Sequence, residues 1–342
     1  MSMLEVTHAS TIRWLLDNPE PAVRLLTLRD LLDRPADDPE LRETRAAAHQ
    51  SGAIALILNA MQPEGYWEKA TPGYGPKYKS AVWALLLLAQ LGANVDSDPR
   101  VRTACDYHLD HGLSVGGHFS YNGAPGGTFD CLQGNMLWAL TRLGCTDPRL
   151  DEAAAWMARS NLGEGMAPKT EKHAVDRYYA YKSGPGFQCG ANANQPCSWG
   201  AAKLMLAYSA LPVDRRTPLI ERAIAQGVEY FFCVPPETAA WPVNAKDWPN
   251  AGWWKLAFPV FYITDLLQVA EALTGLGYAR DPRLAGLINW VRSKQNAAGQ
   301  WPLEYNYGSK TWGRYGALNK PNPYVTIRAL RVLKDAGEEN LA

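Results

Sequence analysis

The sequence has few cysteines, no excess of charge of either sign and no long apolar run. Six cysteines in 342 residues are too sparse for a disulfide-rich scaffold, so we expect reduced thiols. The 34 basic and 34 acidic residues give a formal net charge of zero, and without a basic stripe neither nucleic acid nor an anionic membrane surface is expected as the main partner. No apolar run reaches the roughly 18 residues of a membrane span, and the first residues lack the basic and apolar regions of a signal peptide. These absences predict a cytoplasmic protein.

Two further absences bear on the fold. No linker, low-complexity run or block of charge divides the chain, so residues 1–342 are predicted to form a single domain. No alternation of apolar and polar residues is long enough for a useful β-strand, which predicts an all-α protein.

What the sequence does contain is a repeated unit. Each unit has a helix opened by Asp-Pro, a loop rich in glycine and aromatic residues, and a second, more apolar helix. Because Asp can cap a helix and Pro fits its first turn, helix starts are predicted at Asp38-Pro39, Asp98-Pro99, Asp147-Pro148 and Asp281-Pro282. Gly or Pro just past the last turn is a stop signal, and it follows leucine at Leu91-Gly92, Leu143-Gly144, Leu211-Pro212 and Leu276-Gly277.

Together the units predict six helix pairs, which is enough to close a ring. The more apolar helices are placed on the inside, at about 21–33, 78–92, 129–144, 197–212, 256–277 and 322–337. The helices with charge on one face are placed on the outside, at about 8–17, 39–62, 98–111, 147–161, 215–233 and 281–295. The predicted fold is therefore an (α/α)6 toroid, a barrel of inner and outer helices.

Aromatic residues, including 13 tryptophans, concentrate in the long loops from an outer helix to the next inner helix. Those loops are predicted to gather at one end of the barrel. Their aromatics therefore either plug its mouth or line an apolar pocket that can also stabilise a cation. The residues assigned to substrate binding are Tyr66, Trp67, Phe119, Tyr179, Phe187, Trp199, Trp253, Trp254, Tyr262 and Trp312.

Three of these loops carry a family resemblance. The stretches Gln62-Pro-Glu-Gly65-Tyr-Trp67 and Gln295-Asn-Ala-Ala-Gly299-Gln-Trp301 resemble the QW motif of squalene and oxidosqualene cyclases. The stretch Gly116-Gly-His-Phe119 resembles the Gly-Gly-Phe turn of protein prenyltransferase β subunits. The resemblance covers nearly the whole chain and implies the α/α toroid of the terpenoid cyclase and prenyltransferase superfamily, with a central cavity.

The catalytic motifs of that superfamily are altered in this sequence. Class II cyclases carry an acidic Asp-x-Asp-Asp motif, whereas Asp96-Ser-Asp98 is followed here by Pro99 and reads as a helix start. Prenyltransferases bind zinc through Asp-x-Cys and a later His, whereas Asp130-Cys131 has no spacer and the helix from Cys197 supplies no His. The resemblance therefore implies the fold and leaves the reaction open.

In place of those motifs the sequence has a set of cysteines at unusual positions. Cys131 and Cys197 fall in the first turns of successive inner helices, where the helix dipole favours the thiolate form that acts as base, nucleophile or metal ligand. The alternative is that they simply fill space, as buried cysteines do. The stretch from Phe187 through Cys189 to Cys197 resembles the two-cysteine active-site loop of linalool dehydratase-isomerase, an α/α-barrel protein in which thiols take part in acid and base work on a terpene alcohol. The resemblance implies that role for Cys189 and Cys197. The other three thiols, Cys105, Cys145 and Cys233, are expected to be structural.

Other titratable groups complete the candidate site. Asp265 lies within an apolar run on a predicted inner helix, where a desolvated carboxyl group is a candidate general acid unless it is paired. His173 and Tyr178 precede the Cys189 loop. The candidate catalytic residues are Asp130, Cys131, Cys189, Cys197, His173, Tyr178 and Asp265.

The leading functional prediction is a lyase, isomerase or cyclase that acts on a small apolar alcohol or alkene of terpenoid type by Cys/Asp/His acid-base chemistry, without a cofactor. One alternative is a zinc-dependent transferase or hydrolase of the prenyltransferase kind, with Asp130, Cys131 and Cys197 as ligands. A second is a non-catalytic toroid that binds a peptide or hydrophobic ligand. Association into a homo-oligomer stays open.

Overall fold

A computed structural model describes residues 8–167, 170–171, 173–174, 180–241 and 249–337. Regular structure there is mostly helical, which confirms the predicted all-α class. No helix in these ranges has the length and hydropathy needed to cross a membrane, and the longest has 15 residues. The helices are α1 (Ala9–Leu16), α2 (Pro21–Leu26), α3 (Pro39–Gln50), α4 (Gly52–Asn59), α5 (Ala81–Leu91), α6 (Pro99–Gly112), α7 (Asp130–Arg142), α8 (Arg149–Leu162), α9 (Ser198–Ala210), α10 (Pro218–Phe232), α11 (Leu266–Leu273), α12 (Ala285–Ser293) and α13 (Pro323–Asp335).

Smaller elements complete the chain. A π-helical turn extends α2 over Thr27–Leu31, and another extends α11 over Thr274–Tyr278. Two short strands, β1 (Gln188–Cys189) and β2 (Gln195–Pro196), pair antiparallel in a small hairpin.

The Asp-Pro dipeptides open helices or helical turns as predicted. At the start of α3, the Asp38 carboxylate accepts a hydrogen bond from the backbone N–H of Leu41 at 2.9 Å. In the three Asp-Pro-Arg sequences, the aspartate accepts from the backbone N–H and from the guanidinium of the arginine two residues later: Asp98 with Arg100, Asp147 with Arg149, and Asp281 with Arg283. The same arginines also bond to an earlier helix: Arg100 to Asn59 of α4, Arg149 to Asp110 of α6, and Arg283 to Glu229 of α10. One local sequence therefore both caps a helix and ties it to another.

Two predicted helices differ from the structure. The helix expected over 39–62 is divided into α3 and α4, because Ser51 is extended and Gly52 has a φ of +72°, a conformation that interrupts helical geometry. The helix expected over 256–277 begins only at Leu266. Its start is fixed by Asp265, whose Oδ1 accepts a hydrogen bond from the backbone N–H of Gln268 at 2.8 Å.

Six helices contact one another in chain order. Helix α2 packs against α5, α5 against α7, α7 against α9, α9 against α11, α11 against α13, and α13 against α2. Ten of the eleven residues of α5 are buried, so this helix has no face turned to solvent. Helix α10, which packs on α8 and α9, buries a single stripe formed by Ile220, Ala223, Ile224, Gly227, Val228 and Phe231. The six mutually contacting helices therefore carry the core, and helices such as α10 cover it.

Three buried tryptophans anchor the loops that follow covering helices. Each indole Nε1–H donates to a backbone carbonyl ten residues earlier: Trp67 to Ile57 at 2.8 Å, Trp241 to Phe231 at 3.1 Å, and Trp301 to Val291 at 2.7 Å. Trp67 and Trp301 are the tryptophans of the QW-like pattern. In this chain both tryptophans hydrogen-bond to the last turn of the helix that precedes them.

A cluster of ion pairs lies at the C-terminal end of α7. Its members, hereafter the ion-pair cluster, are Arg29, Asp30, Arg142, Asp265, Glu271, Arg328 and Arg331. Arg328 donates to Asp265 Oδ1 at 3.0 Å and to Glu271 Oε2 at 2.8 Å. Burial acts to raise the pKa of Asp30, but the guanidinium of Arg29 beside it holds that pKa well below its usual range. Each charge of the cluster has a partner of opposite sign within the chain.

Candidate active site

A cavity of about 500 Å3 opens beside the N-terminal ends of α7 and α9. All three candidate cysteines, Cys131, Cys189 and Cys197, line it. Its other walls are largely aromatic, formed by Tyr74, Tyr121, Phe129, Trp199, Trp253 and Tyr262. Two lysines, Lys77 and Lys182, also line it. A concave, mostly apolar site with a few convergent polar groups is the usual form of a small-molecule site.

The small hairpin brings two of these cysteines together. Cys189 lies on β1, and Cys197 follows β2 as the N-cap of α9. Ala193 and Asn194 turn the chain between the strands with positive φ angles of 54° and 60°. The backbone N–H of Cys197 donates to the carbonyl of Phe187 at 2.8 Å, which closes the hairpin onto the start of α9. The eight-residue spacing of the two cysteines therefore places both thiols at one point.

Two glycines let α7 and α9 approach closely, and this places Cys131 at the same cavity. A Cβ at Gly134 would lie 2.3 Å from the carbonyl carbon of Lys203 on α9. A Cβ at Gly200 would lie 2.8 Å from the Cβ of Asp130 on α7. Both distances are shorter than real Cβ contacts, so side chains here would force the two helices apart.

The Cys189 and Cys197 side chains form a hydrogen-bonded pair. The Cys197 thiol donates to Cys189, and this bond, with the backbone amides of Ala191 and Asn192 and the charge of Lys182, lowers the pKa of Cys189 to about 6. The same interaction, together with burial, raises the pKa of Cys197 above its ordinary value. At neutral pH the pair therefore consists of a thiolate at Cys189 and a thiol at Cys197.

Cys131 differs from this pair. It lies in the first turn of α7, as the sequence predicts, but it is buried, and burial raises its pKa to about 12 with further contributions from Asp130 and Cys189. The expectation that its helix position lowers the pKa is wrong, because desolvation outweighs the helix dipole at this site. Cys131 is therefore a neutral thiol at neutral pH.

Asp130 is a buried carboxyl group beside Cys131. The hydroxyl of Ser183 donates to its Oδ1 at 2.5 Å, whereas its Oδ2 has no hydrogen-bond partner among the described residues. Burial raises the pKa of Asp130 to about 8, so the protonated acid predominates at neutral pH. Asp130 does not itself line the cavity.

Two other catalytic candidates lie away from the cavity. Asp265 caps α11 and is held by Arg328 in the ion-pair cluster, which is the paired state that the sequence left as the alternative. His173 is exposed and does not line the cavity. Tyr178, and the binding candidate Tyr179, lie outside the described residues.

The substrate-binding candidates divide into two groups. Trp199, Trp253 and Tyr262 line the cavity. Apart from Tyr179, the other candidates take part in packing or lie at another surface. The Nε1–H of Trp254 donates to Glu237 O, that of Trp312 to Lys79 O, and Trp67 is a buried anchor; Phe119 stacks near His108, Phe187 packs near Tyr230, and Tyr66 lines a separate surface depression with Tyr107.

Sequence analysis did not assign Lys77, Lys182, Phe129 or Lys203 to the site. Lys203 lies in the interior of α9, where its Nζ donates to Gln268 Oε1 and burial lowers its pKa to about 7. A lysine inside the apolar run of α9 was a usable signal for a buried charge. Lys77 and Lys182 lie in loops and carry no such signal.

A second pair of thiols lies elsewhere in the core. Cys105 and Cys145 are hydrogen-bonded to each other, and this bond lowers the pKa of Cys145 to about 7 and raises that of Cys105. Neither lines the cavity. This pair offers an internal reference for the chemistry of Cys189.

The zinc alternative requires three or more ligands in one place. Among the described residues, no group of three or more His, Cys, Asp or Glu side chains is arranged to hold a metal ion. Asp130, Cys131 and Cys197, the ligands proposed for that alternative, are not such a group in this arrangement.

Comparisons with known proteins give limited similarity. No protein-family model and no curated protein matches the chain. Among solved structures, the chain is similar to the apo form of the type II terpene cyclase MstE from Scytonema, with 14% identity and a TM-score of 0.31, over 87% of this chain and 98% of that chain. A variant of MstE in complex with its substrate, geranylgeranyl dihydroxybenzoate, gives 13% identity and a TM-score of 0.32, over 88% and 99% of the two chains. TM-scores this low do not establish a common fold.

Proposed function

We propose that this chain is a single-domain α/α toroid and a cofactor-independent lyase or isomerase that acts on a small, largely apolar alcohol or alkene of terpenoid type. The closed order of contacts from α2 through α13 and back to α2 supports the toroid. The cavity at the N-terminal ends of α7 and α9 would be its active site.

One observation carries the proposed reaction: Cys189 and Cys197 line the same aromatic cavity. Their interaction lowers the pKa of Cys189 and raises that of Cys197, which favours a thiolate beside a thiol. Cys189 is a base and Cys197 an acid at the same pH, which is the pairing that proton transfer to one atom and from another requires. Aromatic faces such as those of Trp253 and Tyr262 stabilise positive charge that develops on carbon.

In the proposed dehydration, Cys189 removes a proton from the carbon next to the one that bears the hydroxyl group. The C–H electrons form the new double bond, the C–O electrons leave with oxygen, and the Cys197 thiol protonates that oxygen so that water departs. Transfer of one proton from Cys189 to Cys197 along their hydrogen bond restores the starting state. The reverse sequence adds water to an alkene, and removal and return of a proton at different carbons gives isomerisation.

Asp130 and Cys131 have a supporting place in this mechanism. Asp130 is neutral at neutral pH and so adds no second negative charge beside the Cys189 thiolate. It also offers a further proton source next to Cys131. Both roles depend on its burial between α7 and α9.

The test uses a panel of C10 allylic and tertiary alcohols and the related alkenes, incubated with the protein in D2O. Mass spectrometry should detect loss of water or incorporation of deuterium. Cys189→Ser and Cys197→Ser should each abolish turnover, whereas Cys233→Ser, which changes an exposed thiol outside the cavity, should not. Full activity in both cavity variants would overturn the thiol mechanism.

A metal measurement covers the zinc alternative. Protein purified without chelator should contain far less than one zinc per chain. Near-stoichiometric zinc that is lost in Cys131→Ala and Cys197→Ala would favour the transferase or hydrolase instead.

A further inference from the structure

Two lysines converge on the cavity from different loops. The Nζ of Lys77 lies 4.9 Å from the ring centroid of Tyr74 and 5.0 Å from that of Tyr262. The Nζ of Lys182 lies 5.8 Å from the ring centroid of Phe129. Lys77 is exposed and Lys182 half-buried, so both ammonium groups lie toward the open side of the cavity.

Among the described residues, no carboxylate forms an ion pair with either lysine at the cavity. The described residues that line the cavity include two lysines but no Asp or Glu. The two ammonium groups are also close enough to repel: burial and the charge of Lys182 both lower the pKa of Lys77. The Cys189 thiolate can balance one of the two positive charges, which leaves the other for a ligand.

The two lysines differ in their relation to that thiolate. Lys182 contributes to the low pKa of Cys189, whereas Lys77 interacts with Cys131 and Lys182. The charge of Lys77 is therefore the one that does not stabilise the Cys189 thiolate. Its stacking over Tyr74 and Tyr262 fixes an ammonium group directly above the apolar wall.

We propose that the substrate of this cavity is an apolar carboxylic acid, whose carboxylate binds between Lys77 and Lys182 while its hydrocarbon part lies on Tyr74, Phe129 and Tyr262 and reaches the cysteine pair. The reacting end in this inference rests on the proposed function, and the carboxylate end does not. A single carboxylate fits two flexible point charges. A phosphate or diphosphate is more often held by the bidentate forks of arginine, and no described residue of this lining is an arginine.

Binding of three probes with one C10 skeleton tests the inference: geranic acid, geraniol and geranyl monophosphate. Quenching of tryptophan fluorescence can report binding, because Trp199 and Trp253 line the cavity. The wild-type protein should bind geranic acid at least about tenfold more tightly than geraniol, with an affinity that falls as salt increases. Equal affinity for the acid and the alcohol, or tighter binding of the phosphate, would overturn the assignment of a carboxylate.

Lys77→Met and Lys79→Met form a matched pair for the same assay. Lys79 is two residues away and also stacks on an aromatic ring, that of Trp312, at 5.3 Å, but it does not line the cavity. Lys77→Met should weaken geranic acid about tenfold and leave geraniol unchanged, Lys77→Arg should retain most of the affinity, and Lys79→Met should have no effect. Equal effects of the two methionine variants would contradict the inference. All variants should keep the wild-type melting temperature.

The binding assay separates this inference from the proposed reaction. Geranic acid should bind Cys197→Ser as tightly as it binds the wild type, because binding of the carboxylate requires no proton transfer. Selective acid binding without turnover of any acid or alcohol would leave the anion site standing and remove the proposed lyase activity. Turnover of neutral alcohols without a preference for acids would support the proposed lyase activity and overturn the carboxylate site.

Discussion

The two ends of α7 hold the same kinds of residue in opposite states. At its C-terminal end, Arg142 joins the ion-pair cluster, in which each charge has a partner of opposite sign. At its N-terminal end, within the part of the chain that the structure describes, one oxygen of Asp130 has no hydrogen-bond partner, and Lys77 and Lys182 line the cavity without a carboxylate beside them. Buried charge is costly unless it is paired, so the first arrangement stabilises the fold and the second leaves interactions open for a ligand.

The largest effect is expected in the ion-pair cluster. Arg328→Met removes the cation that Asp265 and Glu271 share and leaves both buried carboxylates without it, so we expect a loss of about 3 to 5 kcal/mol in the free energy of unfolding. Arg283→Met is the control, since Arg283 bonds to Asp281 and Glu229 at an exposed surface where solvent screens the charges, and its effect on the free energy of unfolding should be much smaller. Chemical denaturation measures both. Similar losses in the two variants would mean that burial does not distinguish the cluster from the surface.

The second effect concerns pH and the opposite end of α7. Because the folded-state pKa of Asp130 is raised to about 8, its contribution to stability is complete below the unfolded pKa of about 4 and is lost as pH rises towards 8. Between pH 5 and 7, wild type should therefore lose stability relative to Asp130→Asn, by up to about 1.4 kcal/mol per pH unit. Denaturant titrations at several pH values measure the difference.

Asp147 supplies the control of opposite sign. Hydrogen bonds from Arg149 lower the pKa of Asp147, so its contribution is present above the unfolded pKa and is lost as pH falls through the folded value. The difference in the free energy of unfolding between Asp147→Asn and wild type should therefore become smaller as the pH falls. A pH-independent difference between Asp130→Asn and wild type would show that Asp130 is ionised in the folded protein.

The smallest effect is the difference in stability loss between a tryptophan that hydrogen-bonds to the backbone and one that lines the cavity. Trp241→Phe removes the hydrogen bond to Phe231 O and should cost about 1 to 3 kcal/mol in the free energy of unfolding. Trp199→Phe changes a half-buried cavity wall and should cost less than that, while it weakens ligand binding. Thermal unfolding and the fluorescence assay report the two properties. A larger stability loss at Trp199 would assign it to the core.

Local signals account for most of what the sequence predicted about the fold. The aspartate of each Asp-Pro caps the following helix or helical turn through a hydrogen bond that spans only two or three residues, as at Asp38 and Asp98. Four helix starts could therefore be predicted directly from the sequence. The predicted start of α11 is too early because the apolar run before it resembles a helix. In the structure the backbone N–H groups of this run bond outside it, as Ala257 does to Asp265 Oδ2 and Val260 to Gln90 Oε1.

The site was readable only where its residues are close in sequence or occupy equivalent helix starts. Cys189 and Cys197 share one hairpin, and Cys131 and Cys197 stand at successive starts of core helices. The partner of Asp265 is Arg328, 63 positions away, and no local pattern links them. Lys77 and Lys182 resemble ordinary surface lysines in the sequence, because only the folded loops bring them to one cavity.

The pH dependence of Cys189 alkylation tests the central claim most directly, because the proposed chemistry requires a thiolate beside a thiol. Iodoacetamide labelling, resolved by site with mass spectrometry, should show Cys189 reacting with a midpoint near pH 6, and at pH 6 about tenfold faster than a free thiol of pKa about 8.5 after allowance for its weaker nucleophilicity. Cys197→Ala removes the hydrogen-bond donor and should move that midpoint upward by about one pH unit or more, while Cys145 in the separate thiol pair keeps its own profile. A Cys189 midpoint near 8.5 that Cys197→Ala leaves unchanged would contradict the thiolate-thiol pair and with it the proposed reaction.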